Sequence, residues 1–209
     1  MARPGGPGPR RFGAIVTAVY CALVHYPVRD REGTSVTASI TNLDVHDIAR
    51  AARTYGLSGY FLITPVDAQR VLATRIIDHW LKGAGLRRGP ERAEALGLCH
   101  VVGSIECAAA AIAAESGARP TLVATAASPP RKRSTLSFER LRASLTERKA
   151  PLLLLFGTSH GLALEVLDAC DAVLEPIVGP TAYNHLSVRS AAAIVLDRLL
   201  GPRQAAARQ

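Results

Sequence analysis

The sequence predicts an α/β fold in which a mainly parallel sheet carries helices on both faces. Two observations lead to this prediction. Short apolar runs alternate along the chain with longer stretches of helical character, and such alternation is typical of parallel sheets. The hydrophobic fraction is 48% over 209 residues, which is enough to bury the core that such a sheet requires.

The first half of the chain opens with two strands and a capped helix. An apolar, β-branched run at 14–24 and an alternating run at 34–41 predict a strand pair around a polar turn. Asn42 or Asp44 is expected to cap a helix that Gly56 ends. The elements that follow are a strand at 59–65, a helix at 66–82, a basic glycine-containing loop at 81–92, a strand at 98–103 and a helix at 104–116.

The second half continues the alternation. Apolar runs and helical spacing predict strands at 120–126, 151–156 and 172–174 and helices at 136–149, 160–169 and 186–200. Because ligands of such sheets bind beyond the carboxyl ends of the strands, the candidate binding loops are 125–134, 156–161 and 175–187.

The domain organisation is expected to be simple. Residues 13–201 are predicted to form one domain between a disordered Pro/Gly-rich tail at 1–12 and a C-terminal tail at 202–209. The early apolar run follows an arginine pair, as in a secretory signal, but its β-branched residues favour a strand. No apolar stretch reaches transmembrane length. The four cysteines show no metal-ligand spacing, so we expect a cytoplasmic protein with free thiols.

The charge balance favours a polyanionic partner. The formal net charge is +8 and the pI is about 9.9, which suits RNA, although arginine-rich usage can also reflect base composition. The sequence contains neither a P-loop nor a G-x-G-x-x-G stretch after the first strand. Asp44 and Asp47 share a helix face while His46 points elsewhere, so we expect no metal site.

The turn after the strand at 151–156 raises a catalytic question. Gly157-Thr158-Ser159-His160-Gly161 matches G-x-S-x-G, the nucleophile elbow of α/β-hydrolases. Asp168, Asp171 and His185 follow Ser159 in the required order, but the acid candidates lie on or beside the next helix, whereas a triad needs separate strand ends. A glycine turn whose amides face a ligand is therefore favoured. A serine hydrolase using Ser159 ranks as a third option, after the two functions given below.

Three segments carry motifs in a characteristic order. The first, at 44–63, reads DVHDIARAARTYGLSGYFLI; the second, at 152–162, reads LLLLFGTSHGL; the third, at 174–200, reads LEPIVGPTAYNHLSVRSAAAIVLDRLL. Together they resemble the SPOUT superfamily of α/β-knot RNA methyltransferases, near its SpoU branch. The phrases VHYPV, TNLDVHDIAR and YNHLSVRSA are similar to one SPOUT family of S-adenosylmethionine (SAM)-dependent RNA methyltransferases. The resemblance covers about 15–201.

The resemblance implies a fold, a cofactor and partners. It implies a C-terminal trefoil knot, SAM as the cofactor, an RNA substrate (tRNA or rRNA) and a homodimer whose active site forms between subunits. It implies Arg50 as a catalytic residue that orients RNA or stabilises developing charge. Asp44 and Asn184 are the other catalytic candidates, and they either position the acceptor or cap helices. It implies a cofactor pocket of Thr125, Phe156, Gly157, Thr158, Gly161, Pro176, Ile177, Val178, Gly179, His185, Leu186, Ser187 and Ser190. The candidate phosphate-binding residues are Arg87, Arg88, Arg131, Lys132 and Arg133.

Two departures from the SpoU pattern limit what carries over. Ribose-methylating SpoU enzymes have a Glu where Thr158 stands and an Asn where Ser187 stands. Ribose 2′-O chemistry therefore cannot be carried over from the resemblance, and methylation of a base remains open. The alternative function is a non-catalytic RNA-binding protein that keeps the SPOUT fold and pocket.

Overall fold

Six parallel strands form the central sheet. The computed structural model describes residues 17–129, 134–147 and 149–202. Its strands are β1 (Val19–Val24), β2 (Val28–Arg29), β3 (Ser35–Val36), β4 (Gly59–Ile63), β5 (Cys99–Val102), β6 (Thr121–Ala124), β7 (Leu152–Gly157) and β8 (Ala172–Val173). The sheet order is β5-β4-β1-β7-β6-β8 with parallel pairing throughout, which confirms the predicted parallel sheet. β2 and β3 form a separate antiparallel pair.

Helices cover both faces of this sheet. They are α1 (Asn42–Thr54), α2 (Asp67–Leu81), α3 (Ala84–Arg88), α4 (Pro90–Leu96), α5 (Ile105–Ser116), α6 (Phe138–Ser144), α7 (Leu164–Ala169) and α8 (Val188–Leu200). Alternate residues of a strand face opposite sides. Accordingly, Cys21 and Leu23 of β1 join a core with α1, α2, α6 and α8, whereas Ala22 and Val24 join one with α5 and α7. The predicted helices on both faces are confirmed.

The loop predicted at 81–92 is largely helical, so that prediction was wrong. Gly89 lies between two short helices: it is the C-cap of α3, and Pro90 then occupies the first turn of α4, where its fixed φ suits a helix start. Gly85 lies against the Trp80 ring, and an added Cβ there would come within 2.7 Å of the indole. The glycines therefore separate and pack two helices.

Three other predicted boundaries differ from the structure. The strand predicted at 34–41 is limited to β3. Beyond β3 the chain makes isolated hydrogen bonds instead of a strand ladder; for example, Ile40 N–H donates to Gln69 Oε1 at 2.8 Å. The helix predicted at 160–169 begins only at Leu164, because Gly161 has a φ of +98°, which no α-helix allows. The helix predicted at 136–149 spans only α6, since Ser137 is its N-cap.

The carboxyl ends of the strands meet at one edge, where the chain returns several times. β7 lies between β1 and β6, so the loops after all three strands are neighbours. Beyond β8, Leu174 bridges to Leu136 and Asn184 Nδ2 donates to the Ala127 carbonyl at 2.9 Å. The segment 174–187 thus crosses this edge before α8 begins. No helix in the described part of the chain is long and apolar enough to cross a bilayer.

Candidate functional site

A cavity of about 580 Å³ opens at the carboxyl edge of the sheet. The loops after β6, β7 and β8 form most of its walls, and residues between β3 and the first turn of α1 complete it. Such an edge is where ligands bind in parallel α/β sheets. The side chains in its lining include Arg29, Asp44, Thr125, Phe156, Glu175, Ile177, Asn184, His185 and Leu186.

The loop after β7 needs glycine for steric reasons. An added Cβ at Gly157 would lie 2.4 Å from the Leu162 nitrogen and 2.7 Å from the Gly161 carbonyl carbon. Ser159 adopts a φ of +53° and Gly161 one of +98°, conformations that glycine adopts without strain and serine tolerates at a cost. The loop thereby folds back on its own strand and turns backbone toward the cavity.

Backbone bonds to the β2 segment hold this loop in place. Arg29 N–H donates to the Gly161 carbonyl at 2.9 Å, and His160 N–H donates to the Arg29 carbonyl at 3.0 Å. The Thr158 hydroxyl donates to the Val24 carbonyl at 3.1 Å and is buried. Thr158 therefore anchors the loop to β1, while the cavity receives backbone and apolar surface from Phe156 and Leu162.

Arg29 is a site residue that the sequence interpretation missed. It lines the cavity, and its Nε is buried without a hydrogen-bond partner in the described residues. A buried, unpaired guanidinium nitrogen is costly unless a ligand satisfies it, and a carboxylate fits it best. Of the two acids in the lining, Glu175 already accepts the Phe138 amide at 2.6 Å. The available signal was a basic residue in the turn that follows the first strand.

Asp44 lies at the junction of the cavity, α1 and α8. Thr41, rather than the predicted Asn42 or Asp44, is the N-cap of α1; its hydroxyl accepts from Asp44 N–H at 3.2 Å and donates to Asp44 Oδ2 at 2.6 Å. Arg189 of α8 approaches Asp44 Oδ1 at 3.7 Å and Asp47 Oδ2 at 3.8 Å. The Asp44 side chain is 12% exposed, and its carboxylate still has lone pairs free for a ligand.

His25 is a second residue that the sequence interpretation did not single out. It follows β1 and is fully buried, and neither ring nitrogen makes a hydrogen bond of normal geometry in residues 17–129, 134–147 and 149–202, although the ring approaches the Ser39 backbone. Burial lowers the pKa of His25 from 6.5 to about 4, although the negative charge of Asp44 acts in the opposite direction. The imidazole is therefore neutral at physiological pH, beneath the wall that carries Asp44.

The structure brings most of the predicted site residues into one cavity. The predicted residues in its lining are Asp44, Thr125, Phe156, Gly157, Thr158, Gly161, Pro176, Ile177, Asn184, His185, Leu186 and Ser187. Ser187 is also the N-cap of α8, where its hydroxyl accepts from Ser190 N–H at 3.2 Å.

The other predicted residues lie elsewhere. Val178 is 73% exposed and Gly179 has open space around it, so neither lines the cavity, nor does Ser190. Arg50 lines a separate groove on the other side of α1. Arg87 and Arg88 are exposed on α3. Arg131, Lys132 and Arg133 lie outside the described residues.

The geometry does not assemble a serine hydrolase triad. The positive φ of Ser159 is a feature that an elbow shares, and His185 lines the same cavity. Asp171, however, accepts the Leu122 amide at 2.7 Å and pairs with Arg119, which puts it at the amino end of β6, on the opposite edge of the sheet. A triad needs its acid beside the histidine. Asp171 is not there, and Asp168, the other candidate, lies exposed on α7 and does not line the cavity.

Comparison with known proteins identifies relatives over almost the whole chain. A family model for SAM-dependent RNA methyltransferases matches residues 18–201. A tRNA (guanine-N(1)-)-methyltransferase of Oleidesulfovibrio alaskensis is 49% identical over 183 residues, which cover 88% of this chain and 42% of that protein. An uncharacterized protein of Aquifex aeolicus is 40% identical over 90% of this chain and 91% of its own length. The chain thus spans about two-fifths of the length of the named methyltransferase relatives.

Solved structures with low identity share the fold. TrmJ from Zymomonas mobilis (Z. mobilis ZM4) has a TM-score of 0.57 at 17% identity and covers 90% of this chain and 70% of its own. The SpoU methyltransferase AviRb from Streptomyces viridochromogenes, in complex with the cofactor AdoMet, has a TM-score of 0.51 at 15% identity, with coverage of 88% and 59%. The predicted resemblance is confirmed: the chain belongs to the family of SAM-dependent RNA methyltransferases.

Proposed function

We propose that this chain transfers a methyl group from SAM to a nucleotide of tRNA or rRNA. The observation that carries the proposal is the cavity at the carboxyl edge of the sheet. It has two features that suit an adenine-bearing cofactor with a carboxylate. Gly157 and Gly161 open backbone toward it, and the unpaired Nε–H of Arg29 supplies a cation for a carboxylate.

The cavity residues divide by chemistry into two groups. Backbone groups of the glycine loop and of residues 176–177, with the apolar side chains of Phe156, Ile177 and Leu186, suit an adenine. Arg29 suits the carboxylate of the amino-acid moiety. The Thr125 hydroxyl donates to the Leu155 carbonyl at 3.0 Å, so Thr125 contributes a fixed wall. We assign Thr158, Gly161, Pro176, His185 and Ser187 to the same cofactor site.

Bound SAM supplies an electrophilic methyl group on a sulfonium, and the protein positions the acceptor atom and helps to remove its proton. Asp44 of α1 and Asn184 of the segment before α8 both line the cavity. The Asp44 carboxylate would accept the proton that leaves the acceptor atom. Asn184 holds its own segment against Ala127 and so helps to position the acceptor. Arg50 would orient the RNA from the neighbouring groove. The acceptor is an atom of a base or of a ribose.

Charge and relatedness support RNA as the substrate. The net charge is +8, and Arg87 and Arg88 project from α3, while Arg131, Lys132 and Arg133 add to the basic character. The relatives that bear a tRNA methyltransferase name extend well beyond the matched region. Their guanine-N1 activity is therefore no guide to the atom methylated by this chain, whereas tRNA is a suitable first substrate to test.

The assembly state, knot and location complete the proposal. A homodimer would cover Val178 and Tyr183, which are exposed apolar side chains on the segment between β8 and α8. A trefoil knot is supported by the segment 174–187, which contacts Leu136 and Ala127 before α8 packs on α1 and α6. Four free thiols suit a reducing cytoplasm. We take 13–201 as the domain, with 1–12 and 202–209 as tails.

Calorimetric titration with SAM and S-adenosylhomocysteine tests the cofactor site, and transfer of tritium from methyl-labelled SAM to bulk tRNA and rRNA tests the activity. We expect a dissociation constant of about 1–100 μM and label in one RNA class. A folded protein that binds neither ligand would refute the proposal. Binding of SAM and RNA without transfer would favour the non-catalytic alternative, and labelling of Ser159 by a serine-reactive probe would favour the hydrolase.

A further inference from the structure

A second groove, of about 570 Å³, lies on the side of α1 away from the cofactor cavity. It is formed by α1, α2 and α4. The lining residues that define it are Asp47, Arg50, Arg75, Trp80 and Arg92, with the two histidines His46 and His79. None of the predicted site residues except Arg50 belongs to it.

The groove carries uncompensated positive charge. Arg50, Arg75 and Arg92 form no ion pair with a carboxylate in the part of the chain that the structure describes. Asp47, the acid of the lining, faces Arg189 at 3.8 Å. Three guanidinium groups that share a concave surface repel one another, and an anionic ligand with several charges relieves that repulsion.

The aromatic floor of the groove holds one of these arginines in position. The guanidinium carbon of Arg92 lies 4.5 Å from the centroid of the Trp80 ring, and the His46 ring meets the same indole edge-on at 5.6 Å. Stacking on an aromatic face orients the planar guanidinium and lowers the entropy lost on binding an anion. The pKa of His46 is lowered by burial and then by the charge of Arg92, which agrees with a positive local potential.

The groove and the cofactor cavity share a wall. Asp44 faces the cavity, Asp47 faces the groove, and both pair with Arg189, at 3.7 and 3.8 Å. A polymer that crosses the first two turns of α1 can therefore occupy both sites at once. Successive phosphates of an RNA strand are the anions that fit a groove with several arginines.

We propose that the groove between α1, α2 and α4 binds the phosphodiester backbone of the substrate RNA, with Arg75 and Arg92 as phosphate ligands. The strand then leads across α1 so that the acceptor nucleotide enters the cofactor cavity. This inference rests on the proposed function, because it assumes that the acceptor is part of an RNA. It assigns Arg75 and Arg92 to binding rather than to the chemical step.

The test is a double variant, Arg75→Ala with Arg92→Ala, in the full chain. Binding of fluorescein-labelled bulk tRNA and rRNA fragments is measured by anisotropy at several KCl concentrations, and SAM binding by calorimetry. The matched control is Arg119→Ala, which removes one positive charge at the opposite edge of the sheet, where Arg119 pairs with Asp171. Thermal denaturation verifies that each variant is folded.

We expect RNA affinity to fall about tenfold or more and the slope of log K against log salt to decrease by about 1.5, because two phosphate contacts are lost. SAM affinity should not change. RNA affinity within about twofold of that of the Arg119→Ala variant would overturn the inference, as would an unaltered protein that binds SAM but neither RNA. A double variant that sediments as a monomer with unchanged RNA affinity would make the groove a protein interface. Failure of the unaltered protein to bind SAM would refute the proposed function. The anisotropy measurements would still show whether Arg75 and Arg92 contribute to RNA binding.

Discussion

Replacing Gly157 by alanine should disrupt the wall of the cavity at the carboxyl edge of the sheet, which we propose as the cofactor site. The new Cβ would lie 2.4 Å from the Leu162 nitrogen and 3.0 Å from the Gly161 Cα, and both are backbone atoms. The loop must move by roughly an ångström to reach ordinary van der Waals contact. That movement strains the bonds between Arg29 and residues 160–161. Overpacking of this kind costs about 2 kcal/mol, so Tm should fall by about 4–8 °C for a chain of this size.

The assay compares Tm and the calorimetric Kd for SAM in the unaltered protein, Gly157→Ala and Gly103→Ala. Gly103 is the matched control, because it follows β5 at the same sheet edge and an added Cβ there would meet only an arginine nitrogen at 3.7 Å. We expect Kd to rise about tenfold or more in the Gly157 variant, a loss of about 1.4 kcal/mol. If both variants kept Tm and Kd, the steric reasoning about the loop would be refuted.

Three further substitutions test buried and charged groups around the cavity. The pKa of His25 is lowered from 6.5 to about 4, so the native state binds fewer protons than the unfolded one. The stability that His25 contributes is present above pH 6.5 and is lost as the pH falls toward 4. Urea unfolding of the unaltered protein should therefore show a free energy of unfolding that falls by about 3 kcal/mol over this range, and His25→Leu should remove that fall. Equal pH profiles for the two proteins would contradict this. Arg29→Met should weaken binding of SAM and S-adenosylhomocysteine about tenfold and leave binding of 5′-methylthioadenosine, which lacks the carboxylate, unchanged; a parallel loss for all three ligands would exclude the assigned contact. Asp44→Asn keeps an acceptor for Thr41 but loses the charge near Arg189; it should lower kcat about tenfold or more with a Tm change of about 4 °C at most, and an unchanged kcat would leave Asp44 with only its role at the helix terminus.

The strands and the long helices were predictable because their signals are local. β1 is buried throughout and β7 is buried up to Phe156, and both are continuous apolar runs, as strands of covered parallel sheets are. The end of α8 at Gly201 and the end of α1 before Gly56 follow from ordinary helix termination. The helices α3 and α4 were missed because Gly85 and Gly89 signal a loop, and only the packing of Trp80 over Gly85 shows why glycine is needed within a helix there.

The site was predictable in part, for a related reason. A glycine loop after a buried strand predicts that backbone atoms line a binding site. The structure places Gly157, Thr125 and Ile177 in the lining of one cavity, as the motifs suggested. Arg29 and His25 carried no such signal. Their significance depends on whether a side chain far along the chain satisfies them, and the burial that makes them unusual arises only when the 157–163 loop and the residues after β3 close over the sheet edge.

The central sheet and the segments around it contribute different kinds of groups to the cavity. Parallel strands buried on both faces contribute apolar side chains and backbone, so the sheet edge can shape a cavity but supplies little charge. The charged side chains at the cavity come from segments outside the central sheet: Arg29 from the β2 segment, Asp44 from α1 with Arg189 of α8 against it, and Glu175 from the loop after β8. Since Arg189 also meets Asp47 on the groove side of α1, one arginine fixes the helix that separates the two sites. A change in the packing of α1 on α8 should therefore displace Asp44 in the cavity and Asp47 in the groove together, because both carboxylates lie on α1 and face the same arginine.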